Sequence, residues 1–171
     1  MPQIIILMGV SGSGKTTIGK LLVEELRRDK SRLNNWEFHD ADDFHPHANI
    51  DKMSQGIPLN DADRKPWLDA MRQAIALWLQ QKKNVVLACS ALKGNYRRQL
   101  FVDPEQMSIV YLKGNFELIS SRLQQRQNHY MSAYLLQSQF DSLEEPDDVI
   151  SVDVSQSPGA IAHQIRTLLK L

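Results

Sequence analysis

The sequence predicts an α/β fold in which a five-stranded, mainly parallel sheet carries helices on both faces. Short, wholly apolar runs alternate along the 171 residues with stretches whose apolar residues recur every three or four positions. Strands that are apolar on both sides are typical of buried parallel sheets, and the intervening helices supply the crossovers. A glycine-rich segment joins the first apolar run to the first helical stretch. In such folds ligands bind beyond the carboxyl ends of the strands, so this segment marks a candidate site.

Each element follows from its own residues. Ile4 to Met8 are all apolar and predict a buried strand, and Ile18, Leu22 and Leu26 predict one face of the first helix. Trp67 and Trp78 recur at helical spacing on an apolar face and are expected in the core. The other expected elements are strands at 36–39, 85–89, 109–112 and 149–154, a short helix at 45–53 with Pro46 in its first turn, helices after Pro66 and from near Asn115, and a closing helix through Ile161 and Ile165.

Composition limits the class of protein. The 20 basic and 20 acidic residues balance to zero net charge, which argues against a protein that coats nucleic acid. The single Cys89 excludes an internal disulfide framework and a multi-cysteine zinc site, and it ends a buried strand as an expected core residue. No apolar run approaches the length of a membrane span. We therefore expect one domain over residues 1–171, in a cytoplasmic enzyme.

Residues 9–16 match the pattern G-x-x-x-x-G-K-[ST] at every fixed position. The glycines let backbone amides surround phosphate oxygens, Lys15 reaches the β- and γ-phosphates of ATP, and the Thr16 hydroxyl is a ligand for Mg²⁺. The pattern serves kinases, switch GTPases and motor ATPases. The short chain and the lack of a late guanine-reading segment favour a kinase. The expected nucleotide-binding residues of this loop are Gly9, Ser11, Gly12, Ser13, Gly14, Lys15 and Thr16.

Acidic residues follow the second expected strand. One carboxylate of Asp40, Asp42 and Asp43 is expected to assist Mg²⁺, and another to orient or deprotonate an acceptor hydroxyl. In the next helix Asn49 and Lys52 share a polar face, which suits an anionic, hydroxyl-rich acceptor.

Two later segments add candidate basic residues. Ser90 follows the third strand, and Lys93 and Arg97 are expected to share a helix face that grips a carboxylate. Arg122 and Arg126 are four apart and lead into the polar segment 127–132, which is typical of the start of a lid. We expect that lid at about residues 123–138, with Arg126 neutralising charge on the transferring phosphoryl group.

The chain resembles the gluconokinases, small P-loop kinases related in fold to shikimate and nucleoside monophosphate kinases. The resemblance covers nearly the whole chain and is most specific at residues 56–68, with the sequence GIPLNDADRKPWL. It is supported by residues 7–16, 40–42, 45–53, 89–93, 111–114, 121–123 and 138–140.

The resemblance implies a three-layer sandwich with a small helical lid, a homodimer, and ATP- and Mg²⁺-dependent phosphorylation of D-gluconate on its 6-hydroxyl. It implies that Asp40 supports Mg²⁺, that Asp42 faces the acceptor, that Arg122 stacks on adenine and that Arg126 meets phosphates. It also suggests that the loop at 154–158 borders the adenine. The implied substrate-binding residues are Asp42, His45, Asn49, Lys52, Arg64, Ser90, Lys93, Arg97 and Gln139.

Three alternatives stay open from the sequence. Asp42 and Asp43 could exchange roles. The acceptor could be another small molecule, such as shikimate or a nucleoside monophosphate. The chain could also be a nucleotide-binding regulatory module without turnover, although the paired carboxylates and the lid arginines argue against this.

Overall fold

The computed structural model describes residues 3–29, 35–126 and 133–171. Over these residues the strands form one sheet of five parallel members in the order β2-β3-β1-β4-β5. The strands are β1 (Ile4–Met8), β2 (Trp36–Asp40), β3 (Asn84–Ala88), β4 (Met107–Lys113) and β5 (Ile150–Asp153). The predicted five-stranded parallel sheet is therefore confirmed.

Helices connect the strands and cover both faces of the sheet. They are α1 (Lys15–Arg28), α2 (His47–Ser54), α3 (Asp61–Gln80), α4 (Gly94–Leu100), α5 (Phe116–Gln124), α6 (Ala133–Ser142) and α7 (Pro158–Leu168). A 3₁₀ turn, Ala41–Phe44, follows β2 directly. No helix in the described part of the chain is long and apolar enough to cross a membrane.

The start of α3 differs from the prediction. The helix was expected after Pro66, but it begins at Asp61 and contains Pro66. A capping box explains the earlier start, because Asn60 accepts a hydrogen bond from the amide of Asp63, and the Asp63 carboxylate accepts one from the amide of Asn60. The first turn of α3 therefore brings its polar residues to the edge of the sheet.

Two smaller boundaries also differ. Pro46 is the N-cap of α2 and lies just outside the helix, with its backbone extended. On the other side of the sheet, α5 ends at Gln124, so Arg126 lies beyond the helix and does not share its face with Arg122.

The core forms two layers because side chains of β1 alternate between the two faces. Ile5 and Leu7 pack with residues of α1, α5 and α7 on one side. Ile4, Ile6 and Met8 pack with α3 and α4 on the other. All five residues of β1 are essentially fully buried, and Trp67 and Trp78 lie in the second layer as predicted. This three-layer arrangement fixes the carboxyl ends of β1, β2 and β3 side by side.

Candidate active site

The glycine-rich loop leaves β1 and opens α1 with two residues in the left-handed region. Gly12 has φ of 84° and Gly14, the N-cap of α1, has φ of 98°. A β-carbon on Gly12 would lie 2.8 Å from Cγ of Leu123, so the loop is also packed tightly against α5. Ser13 is fully buried next to Gly9. A β-carbon on Gly9 would lie only 2.7 Å from the Ser13 hydroxyl. Only glycine fits both the backbone conformation and this packing.

Lys15 folds back over the loop that precedes it. Its Nζ donates hydrogen bonds to the carbonyl oxygens of Gly9, at 2.9 Å, and Val10, at 3.0 Å. Burial lowers the pKa of Lys15 from its usual value, and the carboxylates of Asp42 and Asp40 oppose that change. The ammonium group is therefore held at the mouth of the loop, where phosphate oxygens would meet it.

Oxygen atoms suited to Mg²⁺ come together beside the loop. The Thr16 hydroxyl donates to Oδ2 of Asp40 at 3.2 Å, and Oδ1 of Asp40 accepts from the amide of Asp42 at 3.0 Å. Within the described residues no group of three or more His, Cys, Asp or Glu side chains could hold a metal ion. A hydroxyl and one carboxylate nevertheless fit Mg²⁺, which usually keeps several waters and takes its other ligands from substrate phosphates.

A pocket of about 480 Å³ opens over the carboxyl ends of β1, β2 and β3. Most of the predicted nucleotide and catalytic residues line it, namely Ser11, Gly12, Gly14, Lys15, Thr16, Asp42 and Arg126. Asp40, predicted to support the metal, and Ser90, predicted to bind the acceptor, line it too. Burial and the neighbouring Asp40 raise the pKa of Asp42 from the ordinary value of an aspartate. A carboxylate of raised basicity thus lies in the same pocket as Lys15.

Cys89 lies in the wall of this pocket but does not have the properties of a nucleophile. It is 1% exposed, and burial raises the pKa of its thiol to about 12. The thiol therefore remains protonated at neutral pH, in agreement with the predicted core role.

Gln139 contacts the glycine-rich loop. Its Oε1 accepts a hydrogen bond from the amide of Ser11 at 2.7 Å, and its Nε2 donates to the Ser11 hydroxyl at 3.0 Å. Gln139 belongs to α6 and lies 128 residues after Ser11 in the chain. The resemblance implied an acceptor contact for this residue, whereas the structure shows both amide atoms bonded to the loop.

The 3₁₀ turn that carries Asp42 is joined to α3 through Trp67. The indole nitrogen donates to the carbonyl of Ala41 at 2.7 Å, and the indole stacks on the imidazole of His45, with ring centroids 4.5 Å apart. His45 in turn contacts the Asn49 amide at 3.2 Å. Burial and the nearby Arg64 lower the pKa of His45, which favours the neutral ring.

The polar face of α2 is bound to the start of α3. Asn49 is 3% exposed and donates to the carbonyl of Asp63 at 2.8 Å. Lys52 forms an ion pair with the Asp63 carboxylate, with Nζ to Oδ1 at 2.7 Å. Both predicted substrate residues therefore also fix α2 against α3.

Two cations and a phenol gather at the start of α3. Nζ of Lys93 lies 3.1 Å from Oδ1 of Asp61, and the Tyr96 hydroxyl donates to the same oxygen. The Arg64 guanidinium lies over the Tyr96 ring, 5.9 Å from its centroid. Arg64 also affects the pKa of both His45 and Asp61, so this cluster adjoins the His45 side of the site.

Arg97 is not brought to this site. Its Nη1 donates to the carbonyls of Ala91 and Leu92, and its Nη2 donates to that of Glu144. It lines a separate groove of about 810 Å³ between α4 and residues 144–150. The groove is larger than the pocket at the glycine-rich loop but lacks its phosphate-binding elements, so we place the chemistry at the loop.

The structure describes only part of the predicted lid at residues 123–138. Arg122 lies in α5 and contributes to lowering the pKa of Asp153, after the larger effects of hydrogen bonds from Ser155. Arg126 lies next to Lys15 closely enough to affect its pKa. The polar segment 127–132 lies outside the described residues.

Sequence reasoning missed the roles of Asp61, Asp63 and Tyr96, and it treated Trp67 as core alone. A signal for Asp63 was present, since Asn60 and Asp63 have the spacing of a capping box. Nothing local indicated that Tyr96, which lies 35 positions beyond Asp61, would meet it.

Comparison with known proteins identifies the family of the chain. A family model described as an AAA domain matches residues 5–142. The chain is 40% identical over 173 residues to the thermoresistant gluconokinase of Escherichia coli K12, covering 98% of this chain and 94% of that protein. It is 42% identical over 178 residues to a gluconokinase of Arabidopsis thaliana, covering 95% and 90%.

The chain belongs to the gluconokinase family. A solved gluconokinase of Sinorhizobium meliloti 1021 superposes with a TM-score of 0.84 at 38% identity, covering 99% of this chain and 92% of that one. A shikimate kinase of Aquifex aeolicus shares the fold at a TM-score of 0.58 and 19% identity. The gluconokinase relatives therefore match in both sequence and architecture, whereas the shikimate kinase matches in fold.

Proposed function

We propose that this protein transfers the γ-phosphoryl group of ATP to the 6-hydroxyl of D-gluconate, giving 6-phospho-D-gluconate and ADP. The observation that carries the proposal is that Asp42 and the phosphate-binding loop share one pocket, in a chain about 40% identical to gluconokinases over nearly its whole length. A regulatory module without turnover would not need a carboxylate such as Asp42 in the same pocket as the phosphate-binding loop.

The donor side follows from the glycine-rich loop. The backbone amides and the amino end of α1 bind the phosphates, and Lys15 and Arg126 offset the negative charge that spreads over the transferring group. Thr16 and Asp40 are the residues that would hold Mg²⁺. When bound there, the ion would offset the negative charge of the phosphates.

On the acceptor side, Asp42 accepts the proton of the attacking hydroxyl. Burial and the neighbouring Asp40 raise its pKa, which makes it a stronger base than an ordinary aspartate. His45 is expected to meet another hydroxyl of the acceptor, since it directly follows the turn that carries Asp42. Asn49, which is 3% exposed, supports this contact through its hydrogen bond to the His45 ring.

The carboxylate of gluconate binds to Arg64 and Lys93. The sequence paired Lys93 with Arg97, but the guanidinium of Arg97 is bonded to three backbone carbonyls. Arg64 lies over the Tyr96 ring and close enough to His45 to lower its pKa. Arg64 is therefore the better partner for Lys93.

Several finer features form part of the same proposal. The described parts of the predicted lid, residues 123–126 and 133–138, border the nucleotide, with Arg122 and the loop at 154–158 beside the adenine. The protein acts in the cytoplasm as a homodimer, and sedimentation equilibrium at micromolar concentration would test that assembly.

A coupled assay of ADP release tests the proposal. Gluconate should support ADP formation, and shikimate and nucleoside monophosphates should not, with 6-phosphogluconate identified by phosphorus NMR. ADP release that is independent of gluconate, or faster with another acceptor, would refute it.

The role of Asp42 is tested against its neighbour. Asp42→Asn should lower kcat by about 10²- to 10⁴-fold, the range for a lost general base, with little change in ATP affinity. Asp43→Asn is the matched control and should retain near-normal turnover. The reverse result would assign the base to Asp43.

A further inference from the structure

The candidate carboxylate site already contains a carboxylate, that of Asp61. Oδ1 of Asp61 accepts hydrogen bonds from the Tyr96 hydroxyl and from Nζ of Lys93, the latter at 3.1 Å. Nη1 of Arg64 is 3.5 Å from the Tyr96 hydroxyl, and its positive charge favours ionised Asp61. These three donors are the groups that a free carboxylate would need in order to bind here.

The donors and the carboxylate differ in how firmly they are held. Tyr96 is 6% exposed in the second core layer, and 31% of the Lys93 side chain is exposed. Asp61 is the first residue of α3, and its side chain is 67% exposed. Tyr96 and Lys93 are therefore held more firmly than Asp61, which can rotate into solvent with little loss of packing.

We propose that Asp61 is an internal competitor for the carboxylate of the acceptor and thereby determines acceptor specificity. The inference rests on the proposed function and adds a residue to it. Without acceptor, Asp61 forms an ion pair with Lys93 and lies close to the positive charge of Arg64. A carboxylate-bearing acceptor displaces Asp61 and takes over its hydrogen bonds, so binding exchanges one ion pair for another. An acceptor without a carboxylate has nothing to exchange for the contacts of Asp61, and this selects against neutral sugars.

Asp61→Asn tests the exchange directly. The amide keeps an oxygen acceptor for Tyr96 and nearly the same size, but it removes the competing charge. Exposed ion pairs are weak, so loss of the competing charge should change the equilibrium constant for binding by at most about fivefold. Isothermal titration of the full-length protein with gluconate, without ATP, should therefore show binding tighter by up to about fivefold, with a matching fall in KM and an unchanged kcat.

Asp69→Asn is the matched control, because Asp69 lies on the same helix and pairs with Lys65 at the surface. It should leave gluconate binding unchanged. A second ligand separates charge from shape: glucitol has the same carbon chain without the carboxylate, and its binding should not tighten in Asp61→Asn. Lys93→Met should weaken gluconate binding in either background.

Weaker or unchanged gluconate binding in Asp61→Asn overturns the inference, since Asp61 would then position Lys93 and Tyr96 or play no part. Equal tightening for glucitol also overturns it, because the competition would not involve a carboxylate. If the wild-type protein turns over gluconate, these results refute the role of Asp61 alone. If the wild-type protein neither binds nor phosphorylates gluconate, the proposed function and this inference both fail.

Discussion

Gly12→Ala should destabilise the protein and weaken ATP binding together. Gly12 has φ of 84°, and the left-handed region costs an alanine about 1–2 kcal/mol. The new β-carbon would also lie 2.8 Å from Cγ of Leu123 and 3.1 Å from Cγ2 of Ile119, both in the core. Overpacking of this kind costs about 1–3 kcal/mol, so we expect a total loss of about 2–5 kcal/mol in the free energy of unfolding.

Urea unfolding and the KM for ATP measure the two effects. Gly159→Ala is the matched control, since a β-carbon there meets no atom within 4 Å and the residue lies in α7. It should be neutral or stabilise by up to about 1 kcal/mol. In a double-mutant cycle, Leu123→Ala should recover the part of the Gly12→Ala loss that comes from the clash with Leu123, and it should leave the backbone part. Wild-type stability and KM in Gly12→Ala, or no coupling to Leu123, would refute this account of the loop.

Three further predictions concern the same pocket. Lys15→Ala should cost about 3–4 kcal/mol of transition-state stabilisation, measured as the fall in kcat/KM, and near-normal turnover would contradict the phosphate role of the ammonium group. The raised pKa of Asp42 means that its basic form is lost at a higher pH than for an ordinary aspartate. As the pH is lowered, kcat/KM should therefore begin to fall at a higher pH than the protonation of an ordinary aspartate would cause. This fall on the acid side of the pH profile should disappear in Asp42→Asn. Gln139→Leu removes both hydrogen bonds to Ser11 and should raise the KM for ATP more than that for gluconate; an effect confined to gluconate would instead support the acceptor contact implied by the family.

Much of the fold could be predicted because its signals are local. A wholly apolar pentapeptide such as Ile4 to Met8 has few stable places other than the centre of a sheet. Boundaries were less certain where side chains decide them. The start of α3 depends on the reciprocal bonds of Asn60 and Asp63, and these outweigh the usual effect of Pro66 on a helix.

The donor half of the site was likewise accessible from the sequence, because the glycines, Lys15 and Thr16 lie within eight consecutive positions. The acceptor half joins segments that are distant in the chain. Lys93 and Arg97 look equivalent in sequence, yet only the carbonyls of residues 91, 92 and 144 reveal that Arg97 is already bonded.

By itself, therefore, the sequence determined the sheet, the phosphate-binding loop and the family, since each depends on residue order and short-range spacing. The tertiary structure decided which side chains are available to a ligand. Asp61 meets Tyr96 across 35 positions, and Gln139 meets Ser11 across 128. Such contacts depend on how α3, α4 and α6 pack around the sheet, and no local pattern encodes that packing.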